Sequence, residues 1–205
     1  FLMYPILEPH GANESGLVTY SNVSIDSSLR RSFPVSTSVK KILDLDRCYS
    51  ITKIPVENGK MLCIYDVHLS AYGTDDSVRA GQLGMLFEDM TNDYNAGNYV
   101  ICGGDFNHNL RDGGSTDTPD WAQPFPKNEL PAGFNMAFEI FDGADIANDT
   151  CRNSDKHWTG EGSCFTVMVD GFIVSDNVEV VKYENIEVDF KYSDHDPVKM
   201  SFVLK

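Results

Sequence analysis

The stretch Tyr99-Val100-Ile101-Cys102-Gly103-Gly104-Asp105-Phe106-Asn107 closes an apolar run with two glycines, an acid, an aromatic ring and an amide. Asp105 and Asn107 are two positions apart, so in extended backbone their side chains leave on one face. A carboxylate that can hold water or a metal ion, beside an amide that can donate to an oxyanion, suits attack on a phosphate ester. Polar chemistry recurs at three other strand ends: Asp66 with His68, Asp170, and Asp194 with His195. Singly, His68 reads as a satisfied structural histidine, Asp170 as a turn initiator and Asp194 as a cap on its own turn. Together they point to one site, because buried strands seldom end in acids and imidazoles unless those groups are paired.

Each of these residues needs an element to carry it. Tyr99–Cys102 is a short apolar run that reads as a buried strand, and the glycines after it let the backbone pass where a side chain would crowd a neighbour. Cys48–Val56 and Met61–Leu69 alternate as two strands around Glu57-Asn58-Gly59-Lys60, an Asn-Gly hairpin turn. Val78, Leu83, Leu86, Phe87 and Met90 recur near helical spacing and predict an amphipathic helix over 76–94. Residues 1–16 read as loop, Leu17–Ser21 as a strand, and a polar stretch with Arg30 and Arg31 follows. Residues 108–135 form a long irregular connection with four prolines, Trp121, Phe125 and Phe134, of a length that usually marks a functional or mobile loop. A short helix is expected from Asn135 to Phe141. Phe165–Val174 reads as a strand pair or one bent strand, Val178–Tyr183 as a strand, and Val198–Leu204 as the closing strand after the Tyr192–Pro197 loop.

The chain's 205 residues suit one large domain with ample core. Sixteen Lys and Arg against 31 Asp and Glu leave a net charge of −15, which argues against a protein that holds nucleic acid through a broad basic surface. It is compatible with a divalent-cation site, where the ion supplies the positive charge. No apolar run is long enough to span a membrane, and no secretory signal stands at the start, although a chain opening on Phe1 reads as a fragment. The compartment stays open, cytoplasmic or exported, and a monomer is expected. Of the five cysteines, Cys63 and Cys102 lie in apolar strands and read as core thiols. Cys151 and Cys164 flank a polar loop and are either free or bridged.

Gly103-Gly104-Asp105-Phe106-Asn107, Val169-Asp170-Gly171-Phe172-Ile173 and Ser193-Asp194-His195-Asp196-Pro197 resemble the signature segments of the endonuclease/exonuclease/phosphatase superfamily. Asp66-Val67-His68-Leu69 is similar to its Asn-Thr-His-Leu segment, Ser15–Ser21 to its Gly-containing strand ending in Ser, and Arg79 with Gln82 to the helix that follows. The segments come in the family's order and cover nearly the whole chain. The resemblance implies an α/β (α+β) fold of the deoxyribonuclease I type, a four-layer αββα sandwich of two mainly antiparallel sheets flanked by helices. It implies one domain over 1–205, matching the family's C-terminal two thirds without its N-terminal strands.

The implied activity is divalent-metal-dependent phosphoester hydrolysis with Mg²⁺ or Mn²⁺ as cofactor, on a small-molecule, lipid-linked or nucleic-acid substrate. Asp105 would orient and deprotonate the attacking water. Asn107 would donate to the phosphoryl oxygens, and His195, held by Asp170, would protonate or stabilise the leaving oxyanion. His68 would contact the phosphate from the other side, and Asp194 would bind or orient the metal, whose principal Glu ligand is expected upstream of Phe1. Asn107, His68 and Trp121 are the substrate-binding candidates. Two histidines favour the branch of nucleases, sphingomyelinases and inositol phosphatases. Asp66 departs from the family's Asn, and a carboxylate there repels phosphate unless a metal or a proton offsets it. The alternative is a binding or scaffold protein that keeps the fold without the chemistry.

Overall fold

The Asn58-Gly59 turn folds Cys48–Pro55 (β2) and Met61–His68 (β3) into an antiparallel hairpin, with Tyr49 opposite Val67 and Pro55 opposite Met61. Gly59 takes a φ of 78° there, and the Asn58 carboxamide oxygen accepts the Lys60 amide. The computed structural model describes residues 16–34, 47–70, 76–111 and 122–205. After β3, the helix α1 (Asp76–Asn95) carries the chain back so that Tyr99–Asp105 (β4) runs parallel to β3, with His68 opposite Asp105. Parallel pairing needs such a crossover. Ser27–Ser32 (β1) flanks β2, and Phe134–Met136 (β5) closes the far edge beyond Asp170–Ser175 (β8), giving the order β1-β2-β3-β4-β8-β5.

Alternation sorts the two faces of this sheet. Leu83, Leu86, Phe87 and Met90 of α1 are buried in one cluster with Tyr49, Cys63, Tyr65, Val67 and Leu69. Tyr49 and Tyr65 reach through that layer to hydrogen-bond Asp89 and Asp93 of the helix at 2.5 and 2.7 Å. A second sheet pairs Val178–Asn185 (β9) with Val198–Leu204 (β10) and packs on the six-stranded one, where the Phe172 and Tyr183 rings meet edge to face. Ala137–Ile140 (α2) buries Ala137 and Phe138, and Phe138 also abuts Tyr183. Cys151–Arg152 (β6) and Thr166–Val167 (β7) form a separate small ladder. The architecture is mixed α/β with sheets dominating and mainly antiparallel pairing.

Several sequence expectations need correction. Leu17–Ser21 is not a strand: Tyr20 is 92% exposed, and the Thr19 hydroxyl is turned onto Asp66 instead. The polar stretch after it is the strand, because β2 offers a free edge that needs backbone partners and no apolar side chains. Phe165–Val174 follows the first of its two readings, two strands rather than one bent strand: β7 and β8, with Met168 and Val169 between them. The helix at 135–141 is only α2, since Phe134–Met136 is taken up as β5. Of the two readings left open for Cys151 and Cys164, the structure has the free one: both are free thiols. Trp121 and residues 112–120 of the long connection lie outside the described residues, as does Ser15. Among the described residues, no helix is long and apolar enough to cross a membrane.

Candidate active site

Gly104 shows how tightly the site's base is built. A β-carbon on it would sit 2.1 Å from the Val67 carbonyl oxygen, and its φ of 136° is one that L side chains rarely adopt. Glycine there lets β4 lie against β3 until its last residue, so Asp105 ends level with His68. On its other side β4 runs antiparallel to β8, which sets Asp105 directly opposite Asp170. Asp170 therefore opens its strand and does not end one. The antiparallel partner brings its first residue to the rim where β4 finishes.

His195 arrives from elsewhere. It precedes β10, which belongs to the second sheet, so the dyad does not come from neighbouring strands of one sheet. Segment 150–152 brings the two sheets' rims together. Cys151 forms an isolated bridge with His195, the Arg152 amide donates to the Asp194 carbonyl and the Asp196 amide donates to the Thr150 carbonyl at 2.9 and 2.8 Å. The buried Thr150 hydroxyl accepts the Val169 and Asp170 amides, both at 3.0 Å. One short segment thus holds both partners. His195 Nδ1 lies 2.7 Å from Asp170 Oδ2, a normal charge-assisted hydrogen-bond length.

Asp105 lies between two imidazoles. Its Oδ2 is 3.2 Å from His68 Nε2 and 3.9 Å from His195 Nε2. Burial, reinforced by the Asp170 charge, pushes the Asp105 carboxyl up to about 6 against the pull of His195 and the Asn107 amide. Burial, with Arg47 and His195 nearby, pushes the His68 imidazole down to about 4, so at neutral pH it is uncharged. Burial would also lower His195, but the hydrogen bond to Asp170 and the contact with Cys151 outweigh it and hold the ring well above the usual imidazole range. The rim therefore carries a carboxylate poised near neutrality, a neutral imidazole and an imidazolium.

Asn107 is placed beside Asp105, as its spacing suggests, but its amide is already engaged. Its Nδ2 donates to the Leu69 carbonyl at 2.7 Å and to Asp105 Oδ2 at 3.2 Å, and its backbone amide donates to Asp105 Oδ1 at 2.8 Å. These bonds hold a non-glycine residue at a φ of 50°. The geometry fixes Asp105 more directly than it presents an amide to a ligand. Gln82 of α1 does similar work for β3: its side chain bonds both the amide and the hydroxyl of Ser70, pinning the chain just after His68. Asp194 is half-buried beside His195, and its Oδ1 accepts the Ser193 hydroxyl at 3.3 Å.

An open groove of about 780 Å³ runs from this rim between the sheets, lined among others by Thr19, Asp66, Gly103, Asp170, His195 and Val198. Burial raises the Asp66 carboxyl, which favours the protonated form that the sequence argument requires near a phosphate. Sequence reasoning missed two contributors. Arg47 stands just before β2, and its charge is felt at both His68 and Asp105. Thr150 became visible only once the two rims met, since nothing in its local sequence marks it. Oxygen donors of the kind hard cations take are present, but among the described residues no group of three His, Cys, Asp or Glu is placed to hold a metal ion. The described residues alone do not make a complete cation site.

No protein-family profile matches the sequence, and no curated protein matches it. Solved structures do match. A mannosyl-6-phosphatase of Bacteroides thetaiotaomicron superposes with a TM-score of 0.61 at 19% identity, over 88% of this chain and 67% of that one. The human Nocturnin catalytic domain with bound sulfate gives 0.57 at 18% identity, over 89% of this chain and 60% of that one. TDP2 of D. rerio, solved with a single-strand DNA product, gives 0.61 at 19% identity, over 87% and 68%. The chain thus spans about two thirds or less of the structures it matches.

Proposed function

We propose that this chain, which has the fold of the endonuclease/exonuclease/phosphatase proteins, hydrolyses phosphoester bonds. The observation that carries this reading is the Asp105 carboxylate set between His68 and the Asp170–His195 pair. Asp105 accepts a proton from an attacking water and aims it, with Asn107 fixing the carboxylate rather than touching the phosphate. His195, charged and oriented by Asp170, donates from Nε2 to the departing oxygen or stabilises its negative charge. His68, uncharged, contacts a phosphoryl oxygen from the opposite side, and Arg47 supplies positive charge at the same rim. These roles fit attack by water on phosphorus with departure of the esterified oxygen.

The reaction is proposed to depend on Mg²⁺ or Mn²⁺, with Asp194 supplying one oxygen ligand and the principal Glu ligand coming from upstream of Phe1. Such an ion would neutralise charge on the phosphoryl oxygens. The structural neighbours include a phosphatase and a protein bound to a DNA product, which supports phosphoesters as the substrate class. The binding or scaffold alternative draws on Asp66, whose carboxylate faces the groove. Hydrolysis of bis(4-nitrophenyl) phosphate and 4-nitrophenyl phosphate by the full-length protein, with Mn²⁺, Mg²⁺ or EDTA, separates the two. Turnover that is lost with EDTA and in Asp105→Asn is expected. Absence of turnover with either ion overturns the hydrolase.

A further inference from the structure

Asp66 lines the groove together with Gly103, Asp170 and His195, yet the hydrolase mechanism gives it no work. It shares a face of β3 with His68, because alternation leaves Asp66 and His68 half-buried on one side while Tyr65 and Val67 are buried on the other. Strand register sets the neighbours in two rows. His68, Asp105 and Asp170 stand side by side at the rim, and Ser50, Asp66 and Gly103 stand side by side one step along the groove. Two residues of extended strand make that step about 7 Å. The second row has oxygens with little to bond them. Asp66 Oδ2 accepts the Thr19 hydroxyl at 3.2 Å, and Asp66 has no other hydrogen-bond partner among the described residues. The Ser50 hydroxyl oxygen, directly opposite on β2, is buried and has none among the described residues.

Burial raises the Asp66 carboxyl and only the Thr19 hydroxyl pulls against it, with no neighbouring cation taking part. A half-buried carboxylate without a counter-charge gains most from a ligand that brings one. Oxygens of Asp66, Thr19 and Ser50 side by side suit a group with several N–H donors, and a primary ammonium offers three together with a positive charge. It also resolves a conflict at this place. A carboxylate one step from the attacked phosphorus repels phosphate, whereas a zwitterionic ester carries its own ammonium to stand between the two. A quaternary ammonium has no N–H to donate, and an uncharged hydroxyl leaves the carboxylate unpaired. A divalent ion suits the row poorly, since one carboxylate with two hydroxyls falls short of its usual oxygen shell. The ammonium further lowers the ester's negative charge, which a chain of net charge −15 repels.

We propose that Asp66, with Thr19 and Ser50, forms a subsite that selects phosphoesters whose esterified group carries a primary ammonium on a short spacer from the ester oxygen. The proposal rests on the phosphoester-hydrolase reading. The test uses full-length protein with Mn²⁺ and three esters of matched length, 2-aminoethyl, 2-hydroxyethyl and propyl phosphate, with the methyl diester of each in parallel and the released alcohol measured by chromatography. Wild type should turn over the aminoethyl esters with kcat/KM about tenfold above the other two, mainly through KM, as one charge-assisted hydrogen bond supplies. Asp66→Asn keeps the side chain's shape and should bring the three within about twofold of one another, and Ser50→Ala should lower the preference by about threefold. Calorimetry on Asp105→Asn reads binding alone, and 2-aminoethyl phosphate should bind about tenfold more tightly than propyl phosphate. That binding preference without hydrolysis of any ester by wild type would sink the hydrolase and keep the subsite. Equal turnover of the three, or a preference that Asp66→Asn leaves intact, would sink the subsite and keep the hydrolase. Aminoethyl and hydroxyethyl esters favoured equally over propyl would show a reader of hydroxyls and overturn the ammonium. Neither hydrolysis nor preferential binding would overturn both.

Discussion

Asp105 carries an ionisation that the fold would be better without. Its carboxyl is pushed from an ordinary 3.8 to about 6, so the folded chain holds the proton more tightly than the unfolded one. Ionisation therefore weakens the fold, by nothing below about pH 4 and in full above about pH 6. Asp105→Asn loses the acceptor for the Asn107 Nδ2 at every pH, so the shift fixes the pH dependence: relative to wild type the variant should gain roughly 2–3 kcal/mol in stability between about pH 4 and pH 8. Urea unfolding at the two pH values measures this, and a stability difference between variant and wild type that does not change with pH would refute it. The same variant should lose turnover by a factor of about 10²–10⁴, and wild-type kcat/KM should fall about tenfold per pH unit below about 6. Carboxyls raised by burial concentrate at functional sites, which supports the base role proposed for Asp105. Asp170→Asn tests the partner. It keeps the shape of the side chain but removes the charge that holds His195 protonated and in one orientation. Turnover should fall by about 10²–10⁴ with KM changed little, and activity within a few-fold of wild type would mean that the dyad has no catalytic role.

At the scale of elements, the segment through Thr150 decides whether Asp170 and His195 meet. Thr150→Val keeps the volume but leaves the Val169 and Asp170 amides without their acceptor, at a cost of about 1–3 kcal/mol for each buried group. Thr150→Ser keeps the hydroxyl. Valine should therefore lower both the thermal midpoint and kcat, and serine should restore kcat; equal kcat in the two variants would show that the hydroxyl does not position the dyad. This element also marks where the sequence stopped being readable. The Asn-Gly hairpin, α1 and β4 could be read because local periodicity and turn chemistry agree with the fold there. β1 and β5 could not, since polar Ser27–Ser32 and the three-residue Phe134–Met136 are strands only because a neighbouring edge needs partners. Leu17–Ser21 looked like a strand for the opposite reason: its alternation is real, but the structure gives it no edge to join. The candidate residues were legible as strand ends, while their convergence depends on contacts between residues dozens of positions apart, which no local pattern encodes. Asn107 shows the same limit, because spacing placed it beside Asp105 but could not reveal that Leu69 and Asp105 would use its amide protons.

For the whole molecule, charge governs what can approach. Thirty-one acids against 16 bases give −15 at pH 7, and the candidate rim's cations, Arg47 and His195, are few against that total. A basic nuclease gains affinity by releasing counterions from nucleic acid and loses it steeply as salt rises. This chain has the reverse balance. A long polyphosphate meets net repulsion over a distance set by the Debye length, about 30 Å at 0.01 M salt and about 8 Å at 0.15 M, whereas a small phosphoester carries little charge to repel. Raising ionic strength from about 20 to 200 mM at fixed, saturating Mn²⁺ should therefore increase kcat/KM for a 20-nucleotide single strand, in the direction opposite to a counterion-release slope. For a dinucleotide the same change should be within about twofold, since one phosphate contact carries little of the long-range field. Stopped-assay kinetics on the two substrates in parallel decide the matter. A steep fall for the oligonucleotide would place a local basic track on the molecule strong enough to overcome its net charge, and would make extended nucleic acid, rather than a short ester, the partner to which the surface is fitted.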